Sequence, residues 1–137
     1  MVKPSIEYGL ALAVLFSLSA CASTSSMRNE PLTAGTQRTF EADFDQVVNA
    51  ARDAVVASGL AIDDAYQAKE NVFVIIAKKG GSAWSWGEYV RVTIEGTTDG
   101  ASIVRILTKR KLATNVTARS DWSDTVFSNI DLQLRDM

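Results

Sequence analysis

The strongest constraint on the fold is the strict alternation on either side of Thr98-Asp99-Gly100. Before the turn, Val90, Val92 and Ile94 alternate with Tyr89, Arg91, Thr93 and Glu95; after it runs SIVRILTKRK. A period of two belongs to a strand with two unlike faces, so the segment predicts a β-hairpin. A three-residue loop with Gly100 in the left-handed bulge position pairs Thr97 with Ala101. Ile94 then faces Val104, Val92 faces Ile106 and Val90 faces Thr108, and the apolar sides coincide. A two-residue Asp-Gly turn would set Ile94 against Arg105. A one-residue slip turns every side chain to the wrong face, so the apolar pattern selects the longer loop.

The other elements follow from the same kind of reading. Gln37 to Glu41 is a candidate first strand. Asp43 can cap a helix, with Gln46 as its capping-box partner. Phe44, Val47, Val48, Ala51 and Val55 recur at helical spacing, and Gly59 ends that helix. Leu60 to Tyr66 reads as a second strand. Val72 to Lys79, VFVIIAKK, is apolar on both faces and predicts a central strand. Ser120 or Asp121 begins a last helix, in which Trp122, Val126, Ile130 and Leu134 repeat every four residues and Asp121 and Asp124 suit the first turn. The order β-α-β-β-β-β-α predicts an α+β domain over residues 37–137: a two-layer sandwich with an antiparallel sheet of about five strands and two helices on one face.

Composition narrows the chemistry. The chain has 137 residues, one cysteine, no histidine and a formal net charge of −2. Without histidine it lacks the commonest metal ligand and the commonest general base. One cysteine excludes an internal disulfide and any cysteine-clustered metal site, so neither a metal nor a cofactor is expected. A near-neutral charge argues against a nucleic-acid binder. No Ser-His, Cys-His or Ser-x-x-Lys arrangement is present, and the expectation is a non-enzymatic protein.

The N-terminal part is an address rather than a fold. A short head carrying Lys3 and Glu7 precedes Tyr8 to Leu18, an uncharged and mostly apolar run. Eleven residues fall short of the roughly 20 a helix needs to span a bilayer, but suit a signal-peptide core. Leu18-Ser19-Ala20-Cys21 follows, with small residues before a thiol. This stretch resembles the lipobox of small bacterial lipoproteins. The resemblance implies lipid attachment at Cys21, cleavage of residues 1–20, and membrane association through that lipid. Ala22, in place of the aspartate of inner-membrane retention, implies the outer membrane, facing the periplasm. Removal of the first 20 residues leaves 117 and the same net charge, because Lys3 and Glu7 depart together. Residues 21–36 contain Ser, Thr, Ala and Gly with Pro31 and lack apolar periodicity, so they read as a lipidated flexible tether. The strand order also resembles, in topology only, the α+β domains of the outer-membrane assembly lipoprotein BamC. No family-specific motif accompanies that likeness, so no functional residue follows from it.

Two surfaces are candidates for binding. Strand parity points Tyr89, Arg91, Ile103, Arg105, Leu107, Lys109 and Lys111 away from the helices. Cations among aliphatic and aromatic groups suit an acidic envelope protein or an anionic envelope polymer. Lys and Arg are ordinary on a solvated sheet face, whereas Ile103 and Leu107 are not required there. The second candidate is the Gly-flanked segment with Trp84 and Trp86, an exposed aromatic tip in one reading. In the other, favoured by their shared parity with Val90 and Val92, the strand starts near Ser82, both indoles extend the core and Gly87 forms a bulge. Glu41, Asp43 and Asp45 are spaced as in a calcium loop, but Gln46 and Arg52 occupy its glycine and glutamate positions, so a helix cap is preferred. Asp63 and Asp64, as strand neighbours, are poorly placed for an acid–base pair. The whole predicts a lipid-anchored envelope protein that acts as a binding or accessory module in the periplasm. The alternative is a small periplasmic enzyme or enzyme inhibitor.

Overall fold

The hairpin forms in the predicted register. In the computed structural model, which describes residues 23–80, 87–110 and 121–137, β4 (Glu88–Gly96) and β5 (Ser102–Arg110) pair antiparallel. Val90 is opposite Thr108, Val92 opposite Ile106 and Ile94 opposite Val104. Gly100 sits at φ +86°, the left-handed region that favours glycine. The Thr97 N–H donates to the Ala101 carbonyl at 2.9 Å. The Thr97 hydroxyl donates to Asp99, and this bond holds the Asp99 carboxyl below the usual carboxylate range.

That shift fixes the sign of a pH effect. A carboxylate whose folded pKa is depressed stabilises the fold fully above its unfolded value, and the contribution is lost as pH falls through the folded pKa. The turn contribution of Asp99 is therefore complete above the ordinary value of 3.8, declines as pH falls below it, and is gone once pH passes below the depressed folded value. Asp99→Asn is expected to melt earlier than the parent at pH 7 and to converge with it in strong acid. Parallel melting curves at every pH would remove Asp99 from the turn.

Three further strands complete one antiparallel sheet. They are β1 (Thr36–Phe40), β2 (Ala61–Lys69) and β3 (Val72–Lys79), and the sheet order is β1-β5-β4-β3-β2. Two helices, α2 (Phe44–Ala57) and α3 (Ser123–Arg135), cover one face. Their stripes, including Val47, Ala51, Ala54, Val55, Val126 and Ile130, meet Ile75, Val90, Val92, Ile94, Val104 and Ile106 in the main core. The Asp43 side chain accepts from the Gln46 N–H at 3.1 Å and caps α2, which settles the acidic run as a cap. Gly59, at φ +84°, follows its C-terminus. At α3 the capping residue by position is Trp122, whereas Asp121 Oδ1 accepts from the Ser123 N–H at 2.8 Å. Trp122 is buried, and its indole N–H donates to Glu88 Oε1 at 3.0 Å. The Asn129 amide donates to Ser58 Oγ at 2.8 Å, tying α3 to the end of α2.

The opposite face carries a layer that the sequence reading did not contain. Residues 23–35, expected to belong to a flexible tether, begin with a six-residue helix, α1 (Thr24–Asn29). Ser23 and Ser26 form a reciprocal capping box at its start. Met27 is wholly buried in a second apolar cluster with Val74 and Ile76, flanked by Leu32, Tyr66, Tyr89 and Leu107. So short a helix is marginal by itself and depends on the surface it packs against; burying the Met27 side chain contributes about 1.5–3 kcal/mol. The chain then crosses the sheet from β2 towards β5 and turns into β1 at Gly35, whose φ is +113°.

Candidate binding face

The face that sequence parity assigns to binding is built by alternate residues of β4 and β5. Tyr89 lies opposite Lys109, Arg91 opposite Leu107, Thr93 opposite Arg105 and Glu95 opposite Ile103. The parity prediction thus holds for every one of these residues. The expectation that the face is open does not hold, because α1 and the segment after it lie across its middle.

Arg91 is the centre of that contact. It is 0% exposed, although it stands in the middle of a strand between Val90 and Val92. Its Nη1 donates to the carbonyls of Met27 and Glu30, each at 2.8 Å, and its Nη2 donates to the Pro31 carbonyl at 2.6 Å. A guanidinium offers five donors in a fixed planar fork, and three of them here bind three carbonyls of one crossing segment. These are carbonyls at and just beyond the end of α1, which a helix terminus leaves without internal partners. Burial pushes the Arg91 pKa down from its ordinary value, but an arginine keeps its charge throughout the working range.

The other cations of the stripe are also engaged. Arg105 is buried, donates through Nη1 to Glu95 Oε2 at 2.7 Å and through Nε to Gln37 Oε1 at 3.3 Å. Lys109 pairs with Glu30 of the crossing segment. Tyr89 and Leu107 are half-buried against the Met27 cluster, and Ile103, further along β5 opposite Glu95, is half-buried. Arg91, Arg105 and Lys109 therefore bind the protein's own groups, and the predicted stripe of free positive charge is replaced by a latch. Charge reversal at Arg105 and Lys109 would break internal pairs, so it does not isolate binding from stability.

Asp63 and Asp64 add a second fastening that alternation did not foresee. The register of β2 against β3 shifts between Ile62 and Asp64, which is a β-bulge. Adjacent strand residues normally point to opposite faces, but here both carboxylates reach α1. Asp63 accepts from the Thr24 hydroxyl and pairs with Lys78 at 3.0 Å. Asp64 accepts from Arg28 Nε at 2.7 Å, and the same guanidinium stacks 4.2 Å above the Tyr66 ring. Hydrogen bonding to Asp63 raises the Lys78 pKa. The pair is thus spent on docking a helix, one turn of which separates Thr24 from Arg28.

Cys21, Trp84, Trp86 and Lys111 lie outside the described residues, as does the strand start expected near Ser82. β4 begins at Glu88, directly after Gly87 at φ +88°. Among the described residues no group of three or more acidic, cysteine or histidine side chains is placed to hold a metal ion. No helix among them is long and apolar enough to cross a membrane. The chain matches no protein-family model and no curated protein.

Proposed function

We propose that this chain is a lipid-anchored cell-envelope protein that serves the periplasm as a non-enzymatic binding or accessory module, held in the outer membrane through Cys21. The observation that carries this reading is Leu18-Ser19-Ala20-Cys21 placed directly after an eleven-residue apolar run. An apolar segment of that length suits recognition and removal rather than spanning. Two or more acyl chains then hold a protein stably, whereas a single chain is marginal. The ordered domain supports an accessory role by what its polar groups do: Arg91, Arg105, Lys109, Asp63 and Asp64 are each bound to neighbouring protein groups.

The test is metabolic labelling with a radioactive fatty acid followed by membrane fractionation. The parent chain is expected to take up label and to sediment with membranes, and Cys21→Ser to lose all label. Label retained by Cys21→Ser would overturn the anchor.

A further inference from the structure

We infer that one end of the sheet, the end carrying Lys79 and Arg110, rests against an anionic bilayer surface, with the Thr98-Asp99-Gly100 hairpin pointing away from it. This deepens the anchor reading and rests on it.

The first support is where the anchoring segment enters the fold. Cys21 is two residues before Ser23, and two residues span at most about 7 Å. Thr24 bonds Asp63, and Asp63 pairs with Lys78. Ala61, which starts β2, lies opposite Lys78, and Lys79 and Arg110 both lie opposite Glu88, which starts β4. The first described residues therefore lie at the end of the sheet where β3 and β5 finish. The docked strap removes the slack that a free tether of residues 21–36 would have supplied. A lipid on Cys21 then holds this end, and no other, close to the headgroups.

The second support is the distribution of charge along the strands. At the attachment end Lys79 and Arg110 are exposed, with no ion-pair partner among the described residues. Lys78 and Lys109 are paired, Glu88 is buried against Trp122, and the exposed acids are Asp63, which Lys78 pairs, and Asp121 and Asp124 at the start of α3. The opposite end exposes Glu41, Asp43 and Asp45 at the start of α2, Glu70 in the β2–β3 turn and Asp99 in the hairpin, against the cations Lys69 and Arg52, the latter stacked on Phe73. Nine-residue strands set these ends roughly 30 Å apart. Screening reduces the repulsion of distant charges within about 10 Å in ordinary salt. In this pose the acidic end stands clear of an anionic surface while the two free cations meet it; the reverse pose would press five carboxylates onto it.

The test uses the full lipidated chain, purified and inserted into vesicles of phosphatidylcholine and phosphatidylglycerol. Once Cys21 is acylated, an introduced cysteine is the sole free thiol. Ala61→Cys and Thr98→Cys each receive a fluorophore, and the vesicles carry a headgroup-linked quencher. The probe at Ala61 is expected to be quenched several-fold more strongly than the probe at Thr98. Equal quenching, or stronger quenching at Thr98, on a chain whose intact mass shows acylated Cys21 overturns the orientation and leaves the anchor standing. A membrane-extracted chain whose mass lacks acyl groups overturns the anchor itself. Lys79→Gln with Arg110→Gln is expected to weaken the oriented state by about 25-fold, at about fivefold per cation near an anionic surface. An unchanged quenching ratio in that variant would show that the tether alone sets the pose and would overturn the cationic contact.

Discussion

Arg91→Ala is expected to lower the unfolding free energy by about 3 kcal/mol and to release the N-terminal strap. The side chain is fully buried and satisfies three carbonyls, of Met27, Glu30 and Pro31. Hydrogen bonds to a charged donor contribute about 1.5–3 kcal/mol each, and a buried carbonyl left without a partner costs about 1–3 kcal/mol. Three orphaned carbonyls would together exceed what burial of Met27 contributes, so the variant does better to let residues 23–35 leave the sheet and hydrate. The loss is thereby limited to the docking energy of the strap, while α2, α3 and the main core persist. Arg28 is a trypsin site inside the strap, protected by its helix and by Asp64. Cleavage there is expected to be slow in the parent and fast in Arg91→Ala. Arg91→Lys keeps the charge without the planar fork and should fall between them. A parent-like cleavage rate and melting temperature in Arg91→Ala would sink the latch.

Gly35→Ala is expected to destabilise by about 3 kcal/mol, a backbone cost rather than a lost contact. At φ +113° the residue occupies a region that side chains rarely adopt, and an added Cβ would lie 2.5 Å from the Ile106 carbonyl oxygen and 2.7 Å from its carbon. Both are backbone atoms of a central strand pair and cannot move aside. Gly100 is the control: its φ is +86° but an added Cβ meets nothing within 4 Å. Gly100→Ala therefore incurs the left-handed cost alone, about 1–2 kcal/mol. Denaturant melts of the two variants should rank Gly35→Ala as the weaker. Equal losses would show that the close approach to Ile106 adds nothing.

The contrast between these two glycines marks what the sequence could reveal. Gly100 was legible because its turn is local: alternation on both sides and a requirement for matching apolar faces leave one register. The same logic gave β3, whose residues are apolar on both faces, and the stripes of α2 and α3. Gly35 was not legible, since its role depends on a strand seventy residues later. Nor was α1, six residues long with no apolar period and stabilised by a distant surface. A signal for it did exist in VFVIIAKK. A strand apolar on both faces demands cover on both, and two helices cover only one. Val74 and Ile76, with Leu107 and Tyr89 beside them, called for a second layer, and Met27 supplies it. Arg91 was misassigned for a related reason. Its parity was correct, but a charge between two buried valines was taken to face solvent, when the backbone carbonyls of another segment were there to receive it. The Asp63-Asp64 pair was hidden by the bulge, which alternation cannot anticipate.

The bulge at Asp63 has an effect beyond fastening α1. β2 is an edge strand, and an edge exposes unpaired N–H and carbonyl groups on which another chain can add a strand. An irregular edge strand is a poor template, because its register breaks. At the other edge, β1 is five residues long and carries Arg38, paired with Asp131. Proteins confined to a membrane plane meet one another far more often than in free solution. For a chain held there, the broken edge of β2 and the short edge of β1 would act as insulation, keeping crowded neighbours from zipping into a continuous ribbon.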